Sequence, residues 1–80
     1  MHTEADTFST VRDLVAAIAQ LPPAEVEPGH RLVEDLDLDS LQITALAQKL
    51  QNALGRPVDE DLLIAPGTTV ANCAALTSGP

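Results

Sequence analysis

The chain reads as all-α: a small four-helix bundle of three longer helices and one short helix, with a long loop between helices 1 and 2. Three observations predict this. Apolar residues recur at spacings of three and four in two long segments, the period of one helix face. No strand pattern is present: the one short alternation, Asp35 to Asp39, is built on aspartate, which strands disfavour. Proline and glycine fall at the segment ends, where helices stop.

The first helix is expected from Thr7 to Leu21. Phe8, Val11, Leu14, Val15, Ile18 and Leu21 share its inner face. Asp6 or Thr7 can cap its start. Pro22-Pro23 stops it, because proline disfavours a helical conformation in the residue before it. The connection from Pro22 to Asp39 holds three prolines and Gly29, so continuous helix is excluded there. Loops beyond about 12–15 residues are uncommon and often functional. This one is expected to be pinned by Val26, Leu32, Val33, Leu36 and Leu38.

The second helix is expected from Ser40 to Leu54, ending at Gly55. Ile43, Leu46, Ala47, Leu50 and Leu54 form one stripe. Leu41 falls on the opposite side with Ala45, Gln48 and Asn52, so an apolar residue faces solvent directly after Ser40. The short third helix spans Asp59 to Ile64, its acidic start matching the helix dipole, and Pro66-Gly67 breaks it. Thr68 or Thr69 can cap a last helix through Leu76, with Val70, Cys73 and Ala74 inward. Thr77 to Pro80 reads as a frayed tail. The expectation is one domain over residues 1–80, its core at about 7–76 with frayed termini.

Composition narrows the function. With 45% hydrophobic and 20% charged residues, the chain suits a folded domain. Domains this small bury only about 60% of the unfolded surface, too little for a deep substrate cavity. A formal charge of −8 repels phosphate backbones and anionic lipid, so neither nucleic acid nor membrane is an expected partner. It favours partners with basic docking surfaces. Cys73 is the one cysteine, so an intrachain disulfide and a cysteine-based zinc set are both excluded. No secretory signal or membrane-spanning run is present, and the cytoplasm is the expected compartment.

The chemistry centres on Ser40, which follows the acidic run Glu34-Asp35-Leu36-Asp37-Leu38-Asp39. A serine hydrolase needs a base within reach and an acid behind it. His30 lies in a Pro-Gly turn and reads as a solvated loop residue, and no G-x-S-x-G elbow surrounds Ser40. Asp35, Asp37 and Asp39 alternate like the first ligands of an EF-hand loop. Ser40 stands where that loop needs glycine and Leu46 where it needs glutamate, so no metal site is assigned. Asp39-Ser40 suits an attachment point, with Asp39 capping the helix and Ser40 presented for modification. On those two residues alone, a plain cap is the better reading.

The wider pattern decides between them. Leu38-Asp39-Ser40-Leu41 resembles the modification motif of acyl and peptidyl carrier proteins. The acidic loop, the leucines before the motif, the helix after it, the short third helix and the Thr68-Thr69-Val70 opening of the last helix resemble that family too. The resemblance covers about Phe8 to Leu76. It implies phosphopantetheine joined to Ser40 as a phosphodiester, taken from coenzyme A by a phosphopantetheinyl transferase. It implies that Asp39 caps the helix and contacts the metal of the transferase. The chain itself is then a carrier and not an enzyme, holding intermediates as thioesters. Its partners are the transferase, an acyl-loading or adenylating enzyme, and downstream biosynthetic enzymes.

Fatty-acid carriers bear acidic residues two and five positions after the serine, where this chain has Gln42 and Ala45. No Asp or Glu occurs from Ser40 to Leu54, and the acidic charge lies in the loop and at Asp59-Glu60-Asp61. Leu41, Gln42, Ala45, Asp59 and Glu60 are therefore the candidate partner contacts. The expectation is a freestanding, monomeric acyl carrier of polyketide or related secondary metabolism. The alternatives are a peptidyl or aminoacyl carrier of a nonribosomal peptide pathway, and an unmodified helical interaction module.

Overall fold

Helix α1 spans Glu4–Ala19 in the computed structural model, which describes the backbone of residues 4–77 and the side chains of residues 7–76. It starts earlier than expected, so Asp6 and Thr7 lie inside the helix and neither is its cap. It also ends earlier, at Ala19 rather than Leu21. Gln20 adopts a left-handed conformation (φ 61°). Its N–H donates to the Ala17 carbonyl (3.3 Å), and the Leu21 N–H donates to the Ala16 carbonyl (2.9 Å). This is a Schellman closure. Leu21 precedes Pro22 and cannot stay helical at low cost, so the reversal falls one residue before it.

The next three helices follow the expected order. Helix α2 spans Ser40–Leu54 and ends at Gly55, whose φ of 69° is the left-handed value glycine tolerates best. Helix α3 is Glu60–Ile64, with Asp59 as its cap, accepting from the Asp61 N–H at 2.9 Å. Helix α4 is Val70–Thr77, so Thr77 belongs to the helix rather than to a frayed end. Residues 1–3 and 78–80 lie outside the described residues. Thr69 caps α4 by accepting from the Asn72 N–H at 3.0 Å. Thr68 is buried instead, its hydroxyl donating to the Leu62 carbonyl at 2.9 Å.

The core is aliphatic. Val11, Val15 and Ala16 of α1 meet Ile43, Leu46, Ala47 and Leu50 of α2, Leu63 of α3, and Val70, Cys73 and Ala74 of α4. The long loop contributes Val26, Leu32 and Leu38. Phe8, Leu14, Ile18, Leu21, Leu36 and Leu54 pack around it, partly covered. Val33, expected as a pin, is only half-buried and stays outside this cluster.

Backbone bonds fix the loop as firmly as its leucines do. A short 3₁₀ turn at Pro23–Glu25 uses Pro23 where a missing N–H costs nothing. Further on, the loop runs against the start of α4. The Leu32 N–H donates to the Thr68 carbonyl (2.8 Å), beside an isolated antiparallel bridge between Arg31 and Thr69. The N–H groups of Val70 and Ala71 donate to the carbonyls of His30 (2.9 Å) and Pro28 (3.0 Å). The first N–H groups of any helix lack partners within it. In α4 the loop supplies two of them.

One ion pair closes the loop on itself. Arg31 grips Asp35 with Nε on Oδ2 (3.0 Å) and a second guanidinium nitrogen on Oδ1 (3.1 Å). The Arg31 backbone N–H also reaches Oδ2, at 2.8 Å. The Arg31 side-chain hydrogen bonds foremost, then its backbone N–H, hold the Asp35 carboxyl at about 2, below its ordinary 3.8. A depressed carboxylate contributes stability above its unfolded value and loses it as pH falls through the folded one. The Arg31–Asp35 contribution is thus present above about pH 4 and lost toward about pH 2. In urea melts, wild type and Arg31→Gln should differ at about pH 5 and converge near pH 2. Both groups are exposed, so salt should shrink the difference.

Candidate functional site

The site is built where the loop enters α2. Asp37 takes a left-handed turn (φ 58°), Leu38 is buried, and the next three residues emerge into solvent. Asp39 adopts an extended conformation and caps α2, its Oδ1 accepting from the Gln42 N–H at 2.8 Å. Gln42 reciprocates, its Oε1 accepting from the Asp39 N–H at 3.0 Å. This is a complete capping box. Ser40 is the first helical residue, exposed, and the capping work is done by its neighbour. Its hydroxyl is therefore not consumed by the helix end. A phosphodiester there would stand in solvent at the start of a 15-residue helix whose one adjacent carboxylate, Asp39, is turned onto the Gln42 N–H. The residues present fit such a group.

Asp39→Asn should leave the helix cap nearly intact, because Asn caps as well as Asp. Asp39→Ala should cost about 1 kcal/mol. If the carboxylate has a role beyond capping, Asp39→Asn loads more slowly while its melting temperature stays close to wild type. Equal loading rates would confine Asp39 to the cap.

The expected partner contacts are placed unequally. Leu41 is 80% exposed. Ala45 is half-buried rather than open. Gln42 is half-buried and held by the fold, since its Nε2 also donates to the Ile18 carbonyl at 3.3 Å. Asp59 caps α3. Glu60 is exposed and accepts from the Thr44 hydroxyl at 2.7 Å, which brings a carboxylate onto α2 one turn after Ser40. The α2 sequence holds no acidic residue, and the fold supplies one from α3. Leu62 and Ile64, not among the expected contacts, are exposed at 46% and 40%. The consecutive run Leu62-Leu63-Ile64 was the available signal, because a single helical turn can bury only one side.

The other sequence candidates are held by partners other than Ser40. His30 is half-buried, and its Nδ1 accepts from the Glu27 N–H at 3.1 Å, so it belongs to a structured turn rather than to open solvent. Asp35 is occupied by Arg31, and among the described residues no cluster of three or more His, Cys, Asp or Glu side chains could hold a metal. Glu34 is used as well, accepting from the Gly67 N–H at 2.9 Å. An open depression of about 320 Å³ is lined by Gln51, Gly55, Arg56 and Pro57 at the opposite end of α2. Cys73 is buried, and burial pushes its thiol up to about 12. Among the described residues, no helix is long and apolar enough to cross a membrane.

The described residues thus form a four-helix fold that presents an exposed serine at a capped helix start. The family described as phosphopantetheine attachment site matches residues 9–76. The chain belongs to this family of carrier proteins, whose prosthetic group is covalently attached phosphopantetheine. It is 32% identical to an acyl carrier protein of Thermobifida fusca over 62 residues, covering 78% of each chain. It is 38% identical to acyl carrier protein 2 of Ralstonia nicotianae over 56 residues, covering 70% of this chain and 69% of the relative. A meromycolate extension acyl carrier protein of Mycobacterium tuberculosis is 28% identical over 61 residues. That match covers 75% of this chain and about half of the relative, 53%. Carriers of this family work with a phosphopantetheinyl transferase and with biosynthetic enzymes.

Proposed function

We propose that the chain is an acyl carrier loaded at Ser40, serving polyketide or related secondary metabolism in the cytoplasm. The observation that carries the attachment residue is the division of labour at the α2 start. Asp39 caps and Ser40 is left exposed. In loading, the Ser40 oxygen attacks the pantetheine-side phosphorus of coenzyme A. A new P–O bond forms, the pyrophosphate P–O bond breaks, the adenosine bisphosphate half leaves, and the serine proton passes to the transferase or solvent. When bound, the group supplies a thiol that carries acyl groups as thioesters. The chain itself performs no chemistry. It raises the effective concentration of its cargo at each partner.

The acyl assignment is supported by relatives named as acyl carriers. The specialised pathway is supported by Gln42 and Ala45 standing where fatty-acid carriers have acidic residues. A second reading, a carrier in lipid chain elongation, is favoured by two observations. Some relatives are named for meromycolate extension, and Glu60 returns a carboxylate to α2 at Thr44.

Intact mass after incubation with coenzyme A and a promiscuous phosphopantetheinyl transferase tests the carrier role. The expected result is one phosphopantetheine added. The loaded form is then offered to a fatty-acid malonyl transferase, a polyketide loading enzyme and an amino-acid adenylating enzyme. Efficient malonyl transfer by the fatty-acid enzyme would favour the lipid reading, and aminoacylation would make the chain a peptidyl carrier. An unmodified mass would leave only the helical interaction module.

A further inference from the structure

The Gln42 side chain joins two helix ends that are far apart in sequence. The last carbonyls of α1 lack partners within the helix. Ala16 and Ala17 are served by the Schellman closure, through the N–H groups of Leu21 and Gln20. The Ile18 carbonyl is served by Gln42 Nε2 at 3.3 Å, from 24 residues away. The same amide holds the Asp39 N–H through Oε1 at 3.0 Å. Its two ends have different tasks: the oxygen closes the turn that contains Ser40 and Leu41, and the nitrogen ties that turn to α1. Gln42 is half-buried between them, whereas Ser40 and Leu41 are exposed.

We propose that Gln42 is a positioning residue for modification of Ser40, acting through the Ile18 carbonyl to set how the serine-bearing turn stands against α1. This rests on Ser40 being the attachment residue. The transferase must bring the Ser40 oxygen into line with phosphorus, and small misplacements of a reacting atom cost rate steeply. The capping box alone fixes the turn relative to α2. Among the described residues, the Gln42–Ile18 hydrogen bond ties its outer edge to the neighbouring helix, in addition to the packing of α2 on α1. Glutamine meets both needs because it carries one acceptor and one donor. A glutamate keeps the acceptor for Asp39 but turns a second oxygen on the Ile18 carbonyl. A methionine keeps the length and loses both bonds.

The test is steady-state loading of the intact chain by a promiscuous phosphopantetheinyl transferase with coenzyme A. Wild type, Gln42→Glu, Gln42→Met and Ser40→Ala are compared, with circular dichroism confirming the folded state of each. Gln42→Glu is expected to lower kcat about five- to tenfold, the scale of one lost hydrogen bond, with KM nearly unchanged. Its rate relative to wild type should recover as pH is lowered and the carboxyl gains a proton to donate to Ile18. Gln42→Met should be slowed with no such recovery. A purely structural role would move the melting temperature and leave kcat alone in variants that stay folded. Amide exchange provides a second readout: the Asp39 N–H, which Gln42 Oε1 holds, should exchange faster in Gln42→Met while exchange in the α2 interior stays as in wild type.

Wild-type kcat in both Gln42→Glu and Gln42→Met, with unchanged exchange at Asp39 in Gln42→Met, overturns the positioning role and leaves the attachment residue standing. A mass gain that persists in Ser40→Ala overturns both.

Discussion

Ser40→Ala is expected to abolish loading completely, with the helical circular dichroism close to wild type. Ser40 is exposed and the α2 cap is Asp39, so the substitution removes an oxygen that the fold does not use. Alanine at the first turn of a helix is also well tolerated. A thiol titration makes the readout sharp. Cys73 is the one cysteine, and burial holds its thiol protonated, at about 12. Thiolate is the reactive form, so the native unloaded chain should react very slowly with a thiol reagent. The loaded wild type should titrate one thiol rapidly, that of the phosphopantetheine arm. Ser40→Ala treated with transferase should titrate none. Mass gain in that variant, or a modified peptide containing Ser9 or Ser78, would place the attachment elsewhere.

The largest stability effect is expected in α2, where two leucines on one helix should behave as opposites. Leu50 is fully buried in the core and Leu41 is 80% exposed. Burying a leucine and then truncating it to alanine costs about 2–5 kcal/mol, transfer and cavity together. Total stability is about 0.05–0.15 kcal/mol per residue, so roughly 4–12 kcal/mol for a chain of this length. Leu50→Ala therefore removes a large share and should leave the domain marginal at physiological temperature. Leu41→Ala should change stability by no more than about 0.5 kcal/mol. It should instead slow loading or transfer, because its apolar side chain stands exposed beside Ser40 and outside the core. Urea melts by circular dichroism and loading rates on the same samples check both. A large stability loss at Leu41 with a small one at Leu50 would reverse the assignment of the two faces.

Much of this arrangement was legible in the sequence. The α2 boundaries at Ser40 and Leu54 follow from Asp39 before the helix and Gly55 after it, signals that act within a few residues. The inward phase of Ile43, Leu46, Ala47 and Leu50, and the outward phase of Leu41, follow from helical geometry alone. The pinning of the loop by Val26, Leu32 and Leu38 could be read from their place in a polar segment. Errors came at α1. Its start precedes the expected Asp6 or Thr7 cap, and its end at Ala19 depends on Gln20 turning left-handed, a conformation that glutamine does not advertise. Val33 was expected inside and is half-buried, because an irregular loop has no period from which to read a face.

The sequence by itself determined the helical class, the course of α2, its two faces and the motif around Ser40. Those features rest on interactions between residues three or four apart, which any window of the chain contains. The tertiary structure alone decided which distant groups complete the site. It set Gln42 on the Ile18 carbonyl, brought Glu60 to Thr44, and laid the loop carbonyls of Pro28 and His30 over the start of α4. Helix ends leave donors and acceptors that no neighbour in sequence can reach, and burial makes each of them costly to leave unpaired. Their partners are chosen by whichever segment the packed core holds beside them, and that choice exists only once the chain has folded.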